Sequence, residues 1–519
     1  MNTAEFLGIT TAIAPDKPAM LFEGKRLTYT QVAERVNRLA NALAGLGVGK
    51  GDRVAILQVN CPEFVEAYFA TAKLGAVFVP LNFRAKEDEL RYMITNSESK
   101  VCFVGDRYFK LVDSIRPALA SVKHFVGIWG KGPGMLSYED LIAKASADEV
   151  VSEVDDEDVT ILMYTAGTTG VPKGVPQTHN MFSVYVLSNI NPAEPDVVES
   201  NLLTVPLYHV AGAQAMMAAI YGGRTLVMMR QFEVDGWLEL AAKEKVDRAM
   251  LVPTMLKRVI EHPDFKKFDL SNMKVITYGA APMPFEVIKK AIEVMPWVRF
   301  INAFGQTETA STITMLGPED HVIAGTEEQK ALKLKRLASS IGKPMDDVEV
   351  AILGEDGQPL PAHQVGEIAA RGARVMKGYW KEPDKTKQVF TKDGWLLTGD
   401  LGYMDDERYI YLTGRAKDII IRGGENIASE EVENIIMQHP AVDEAAVIGI
   451  PDPDMGEAVR AIVVVKAGQK LTTQEISEFC RQRMSSFKKP ESVVFVDELP
   501  RNPMGKVLKR VLREQYGKA

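Results

Sequence analysis

Along the first 400 residues, short apolar runs alternate with stretches of helical periodicity, and this alternation leaves few folds open. Arg53-Val54-Ala55-Ile56-Leu57 is followed by a helical pattern over residues 63–73 and then by Val77-Phe78-Val79-Pro80. Farther on, Ala249-Met250-Leu251-Val252 precedes a helix from Thr254, and Lys274-Val275-Ile276-Thr277-Tyr278 comes after it. Apolar strands separated by helices pack as parallel sheets with helices on their faces. The chain is therefore read as α/β, with a large N-terminal domain of two parallel α/β sheets. Beyond about residue 340, residues 348–353 and 366–371 read as strands joined by turn-rich segments, which predicts a small β-barrel or a sheet without helices. The last part changes again. Ser429 ahead of Glu430 and Glu431 predicts a capped helix, Thr472 with Glu475 a capping box, and residues 445–450 and 461–465 strands. This is a smaller α+β C-terminal domain of about 100 residues, enough to fold as a unit.

The 519 residues are 46% hydrophobic and 25% charged, an ordinary composition for a chain with a large core. A net charge of −8 argues against a broad nucleic-acid surface. Residues 480–519 carry ten Lys/Arg against four Asp/Glu, a local excess able to attract polyphosphates. Three distant cysteines, Cys61, Cys102 and Cys480, form neither a disulfide framework nor a metal cluster, and they fit a reducing, cytoplasmic setting. The first residues lack a signal-peptide pattern. Residues 202–220 have no formal charge, but Pro206, His209, Gly212 and Gln214 favour a buried strand and helix over a membrane span.

The chemistry gathers first at Tyr164-Thr165-Ala166-Gly167-Thr168-Thr169-Gly170-Val171-Pro172-Lys173-Gly174-Val175. Glycines let backbone N–H groups face an anion, threonine hydroxyls donate to phosphate oxygens, and Lys173 adds a cation. A Walker A loop is excluded, because Pro172 precedes the lysine and Gly174, which has no hydroxyl for magnesium, follows it. The run resembles the signature loop of the adenylate-forming superfamily: acyl-CoA synthetases, peptide-synthetase adenylation domains and beetle luciferases. Ala166 stands where the family usually has Ser, which removes one hydroxyl.

The resemblance extends over essentially the whole chain and implies roles motif by motif. Thr165, Gly167, Thr168, Thr169, Gly170 and Lys173 would hold the ATP phosphates. Gly279, Ala280 and Ala281, in Tyr278-Gly279-Ala280-Ala281-Pro282, would admit the adenine. Asn302-Ala303-Phe304-Gly305-Gln306-Thr307-Glu308 is similar to the family's aromatic-Gly-x-Thr-Glu motif. There Phe304 would stack on adenine, Asn302 bond its amino edge, Ala303 and Gly305 line the base, Thr307 contact the α-phosphate and Glu308 bind Mg²⁺. Asp400 and Arg415, fifteen residues apart, would hold the ribose.

Pro206-Leu207-Tyr208-His209-Val210-Ala211-Gly212 resembles the segment beside the carboxylate substrate, with His209 gating the acyl site. Beside His209, where amino-acid-activating relatives have an Asp to hold the substrate ammonium, this chain has Val210, which supplies no such partner, so the resemblance implies an acid without an α-amino group. Val210, Gly212, Ala213, Gly279 and Ala310 would line an acyl pocket of small residues, open to an alicyclic, aromatic or medium-chain acid. Lys506 resembles the adenylation lysine, and Gly423 and Gly424 the lining of a pantetheine tunnel.

By this resemblance, residues 1–414 form the AMP-binding and acyl-substrate domain, 415–417 a hinge centred on Lys417, and 418–519 a mobile catalytic domain. The implied reaction takes a carboxylic acid, ATP and coenzyme A, with Mg²⁺, through an acyl-adenylate to acyl-CoA, AMP and pyrophosphate. A homodimer is compatible with it. Loading of a carrier protein and a non-catalytic nucleotide-binding regulator are the alternatives. Retention of Glu308 and Lys506 argues against the regulator, and Gly423-Gly424 favours free coenzyme A.

Overall fold

The structure is a computed structural model and describes residues 1–165, 171–423, 425–501 and 506–518. A seven-stranded sheet runs in the order Leu136–Ser137, His124–Ile128, Val101–Gly105, Arg53–Leu57, Val77–Pro80, Val159–Thr165, Lys173–Thr178. Its strands are parallel except the last pair, where Thr165 lies opposite Lys173 in an antiparallel hairpin. The central strands are buried almost throughout, as their unbroken apolar runs require.

The second sheet has thirteen strands and two characters. From Pro18–Phe22 through Thr225–Met228, Ser200–Leu203, Arg248–Leu251 and Val275–Gly279 to Arg299–Gln306 it is parallel. From Arg299–Gln306 onward it turns antiparallel, through Ser311–Leu316, Ser340–Pro344 and Ile410–Arg415 to Leu396–Met404, Gly366–Arg371 and Glu349–Leu353. The helix-poor unit expected beyond residue 340 is this antiparallel part. It encloses a core of its own, including Ile313, Ile341, Val350, Ile352, Ile368 and Ile410, and it shares strands with the α/β sheet.

A turn at Ala416–Asp418 leads from the strand Ile410–Arg415 into a separate sheet. That sheet contains Ile420–Arg422, Glu425–Ile427, Gly456–Val465, Val442–Asp452 and Ser492–Phe495. The strands read at 445–450 and 461–465 are the centres of a much longer antiparallel pair, registered from Val442↔Val465 to Asp452↔Gly456. Thr472 caps its helix in a complete capping box. Ser429 does not cap. It is the first residue of the helix Ser429–Ile436, and its hydroxyl instead accepts from Lys509 Nζ at 2.6 Å.

Residues 202–220 divide into the end of a strand and the helix Val210–Tyr221. Among the described residues no helix is long and apolar enough to cross a membrane. All three cysteines are free and buried.

Candidate active site

Of the phosphate loop, residues 166–170, which include Gly167, Thr168, Thr169 and Gly170, lie outside the described residues. The strands on either side of those residues, Val159–Thr165 and Lys173–Thr178, pair antiparallel. The hydroxyl oxygen of Thr165 is buried and has no hydrogen-bond partner among the described residues. A buried hydroxyl left in this state favours a polar occupant beside it. Lys173 Nζ donates to Tyr379 Oη at 2.9 Å, and Tyr379 Oη donates to Glu308 Oε1 at 2.9 Å. Burial holds the Lys173 ammonium below the usual lysine range, against the pull of Glu308. Burial and Glu308 together push the Tyr379 hydroxyl well up, so it stays a neutral donor.

Glu308 belongs to the short turn Thr307–Thr309 at the end of the strand Arg299–Gln306. The turn is clamped from several sides. Gln177 Nε2 donates to Thr307 O at 2.7 Å, Met376 N to Glu308 O at 2.8 Å, and Gln306 Nε2 to Thr398 O at 2.8 Å. A magnesium ion bound with a nucleotide takes one or two carboxylates beside phosphate and water oxygens. Glu308, with one oxygen engaged by a neutral hydroxyl, is a carboxylate of that kind.

Two turns beside this motif hold unusual backbone. Gly279 pairs with Ala303 across parallel strands, and a Cβ on it would lie 2.1 Å from Ala303 O. Ala280 follows at φ 65°, exposed, with Ala281 half-buried beyond it. A Cβ on Gly305 would lie 1.7 Å from Ser311 O, and Ala310 and Ser311 both have positive φ, 48° and 86°. Non-glycine residues rarely hold such angles unless the surroundings force them. Asn302 and Phe304 share one face of their strand. Asn302 Nδ2 reaches Ser340 O at 3.5 Å, and Phe304 is half-buried against the core of the antiparallel unit. Tyr278 turns into the other core, its hydroxyl 2.9 Å from His321 Nε2.

Asp400 and Arg415 face each other in adjacent antiparallel strands and form an ion pair, Arg415 Nε to Asp400 Oδ1 at 2.7 Å. Burial raises the Asp400 pKa, with Arg415 and then Lys506 opposing it. Lys506, although it follows the third sheet in the chain, comes close enough to this pair to respond to it. Burial first, and then Arg415, push its pKa down to about 8, while Asp400 pulls the other way. The far end of the chain therefore meets the strand ends of the large unit here. Lys257 and Asp443 join the same two parts by an ion pair at 2.6 Å.

His209 is the N-cap of the helix Val210–Tyr221, and its Nδ1 accepts from Ala211 N at 3.3 Å. That bond places the ring proton on Nε2. Burial pushes the ring down to about 4, so it is neutral near pH 7. A Cβ on Gly212 would lie 2.3 Å from Pro206 O, which explains the glycine without any ligand. Val210, Ala213 and Ala310 are all buried in the largest core, and Gln214 Nε2 reaches Ala310 O at 3.5 Å. These elements bring His209, Gly212, Ala213 and Ala310 into one neighbourhood. Gly423 stands apart from it, exposed in the tight turn between Ile420–Arg422 and Glu425–Ile427, with φ 58° and its N–H donating to Met455 O. Gly424 lies outside the described residues. Lys417 is exposed in the turn Ala416–Asp418.

Two residues of this arrangement escape a reading by motif. Tyr379 and Gln177 are remote in sequence from the groups they hold, and neither stands in a run with its own signature.

Residues 10–380 match the family described as AMP-binding enzyme, and residues 431–506 match the AMP-binding enzyme C-terminal domain. The chain is 36% identical over 491 residues to the long-chain-fatty-acid–CoA ligase FadD13 of Mycobacterium tuberculosis, covering 95% of this chain and 93% of that enzyme. It is 34% identical over 517 residues to the indoleacetate–CoA ligase of Aromatoleum aromaticum, covering 99% and 98%. Among solved structures, ATP-bound MatB from Rhodopseudomonas palustris is similar at a TM-score of 0.88 and 30% identity, covering 100% of this chain and 99% of that one.

Proposed function

The chain belongs to the AMP-binding enzyme family and is an AMP-forming acid–thiol ligase, and from that premise we propose that it activates a carboxylic acid without an α-amino group as its adenylate and passes the acyl group to coenzyme A. The observation that carries this reading is Lys506 beside the Asp400–Arg415 pair. Arg415 and Asp400 both act on this lysine from the C-terminal part, which supports a role for Lys506 at the α-phosphate of a nucleotide whose ribose that pair would hold.

A carboxylate is a poor acyl donor because oxide is a poor leaving group, and AMP is a good one. The substrate carboxylate attacks the α-phosphorus and pyrophosphate leaves. Lys506 and Thr307 stabilise charge on the α-phosphoryl oxygens, Lys173 and the loop hydroxyls of Thr165, Thr168 and Thr169 hold the departing phosphates, and Asp400 with Arg415 fixes the ribose. Glu308 would hold Mg²⁺, which neutralises phosphate charge. No protein nucleophile is needed, only alignment and charge neutralisation. Residues 418–519 then rotate about residues 415–417, withdrawing Lys506 and presenting Gly423 and Gly424 to the pantetheine arm, whose thiol attacks the acyl carbonyl and releases AMP.

Val210 supports an acid without an ammonium group, since burying an unpaired cation beside a buried valine is costly. Relatives named for a long-chain fatty acid and for indoleacetate are consistent with a pocket that takes an alicyclic, aromatic or medium-chain acid. A pyrophosphate-exchange screen across amino, aliphatic, alicyclic and aromatic acids tests the proposal. Exchange strongest with a non-amino acid and formation of AMP are expected. Release of ADP, or an amino acid as the best substrate, overturns it.

A further inference from the structure

The segment from Met376 to Trp380 is fastened to both sides of the phosphate site. Met376 N donates to Glu308 O at 2.8 Å, and Trp380 N donates at 2.8 Å to the carbonyl of Gly174, the residue after Lys173. Its own conformation is set by Tyr379 N donating to Thr386 Oγ1 at 2.9 Å and Trp380 Nε1 to Asn96 O at 3.1 Å. Tyr379, 8% exposed, is thereby placed between the two charged groups. The Lys173 ammonium lies 4.0 Å from the centre of its ring and 2.9 Å from its hydroxyl, which in turn meets Glu308 Oε1.

We propose that Tyr379 is a positioning residue that separates the phosphate-binding ammonium of Lys173 from the magnesium-binding carboxylate of Glu308. This rests on the roles given to those two residues in the proposed function. A lysine and a glutamate that share a half-buried site pair directly unless something stands between them. A direct pair would neutralise both groups before the nucleotide arrives and would have to break for it to bind. The hydroxyl satisfies one donor of Lys173 and one oxygen of Glu308, and leaves the remaining donors and the second oxygen for phosphate and metal. The ring face steadies the ammonium without consuming an N–H.

The test is titration calorimetry of full-length Tyr379→Phe with ATP, once with Mg²⁺ and once with EDTA, alongside the KM for the acid in pyrophosphate exchange. Phenylalanine keeps the ring and its packing. Lys173 and Glu308 then pair, and the advantage that Mg²⁺ gives to ATP binding falls about tenfold, the weight of one charge-assisted hydrogen bond. The KM for the acid holds. Adding Lys173→Met removes the competing ammonium and restores the Mg²⁺ advantage. An unchanged advantage in Tyr379→Phe overturns the proposal, and so does a uniform loss of ATP and acid binding that the double variant leaves in place. Wild-type protein that binds ATP with Mg²⁺ yet forms no AMP with any acid, while the Phe variant still loses its Mg²⁺ advantage, overturns the ligase reading and leaves the spacer standing.

Discussion

At Gly305 a single added carbon would sit 1.7 Å from a backbone oxygen, whereas the seam between the large and small units is joined by charged side chains such as Lys257 and Asp443, 23% and 41% exposed. The first region is built from backbone. Gly279, Gly305 and the strained Ala280, Ala310 and Ser311 are held by strand register and by the clamps on Thr307 and Glu308. Positive-φ residues of this kind cost of order 1–3 kcal/mol each, and only a rigid surround keeps them. The second region includes a half-exposed ion pair that water can replace, worth about 0–1 kcal/mol. Under the proposed function the first region would hold a flat base and should stay still, while the C-terminal part would serve two half-reactions and should move. The kind of force in each region suits that difference.

Breaking the comparison at its functional centre should have the largest effect. Lys506→Ala is expected to slow adenylation roughly 10²–10³-fold, the loss of one positioned donor. Thioester formation from supplied acyl-adenylate should change little. Equal loss in both half-reactions, measured separately, would remove the claim that one mobile unit serves them with different faces.

On the rigid side, Gly305→Ala forces a carbon into Ser311 O and should cost about 1–3 kcal/mol in a urea titration. Lys257→Ala should leave that titration nearly unmoved. A tolerated Gly305→Ala would show that the turn yields and that rigidity is not its purpose.

The lysine at the seam also gives a pH signature. Its pKa lies at about 8, below an ordinary lysine, so it loses its proton as pH rises through that value. If Lys506 acts as proposed, adenylation uses its ammonium, so kcat/KM for that half-reaction should be flat below about pH 8 and fall about tenfold per unit above it. Thioester formation from supplied adenylate should lack this limb. Coincident profiles for the two steps would contradict the assignment of Lys506.

The smallest effect is expected at Lys257. Its pair with Asp443 is half-exposed, so Lys257→Ala should shift the balance between the two half-reactions by less than about fivefold, in keeping with about 0.2–1 kcal/mol. The shift should shrink in high salt, and one larger than Lys506→Ala produces would mean that the seam, not the lysine, limits adenylation.

The alternating strands and helices, the capping box at Thr472 and the glycine-rich motifs are all local patterns, and they were legible as such. Residues 53–57, 77–80 and 366–371 were read with their observed limits. Ser429 was misread because its hydroxyl is taken by Lys509, eighty residues away, a partner no local pattern announces. Tyr379 was not read at all, since its contacts to Lys173 and Glu308 span 206 and 71 positions.

By itself the sequence determined the fold class, because strand and helix periodicity depends on neighbours within a few positions, and its short motifs carried the family resemblance that implied the reaction class. Tertiary structure alone decided that the strands Val159–Thr165 and Lys173–Thr178 pair antiparallel, that Tyr379 stands between a cation and an acid, and that Lys506 comes under the influence of Asp400 and Arg415. Those outcomes depend on how separate sheets pack, and burial is what gives the charges there their altered strength.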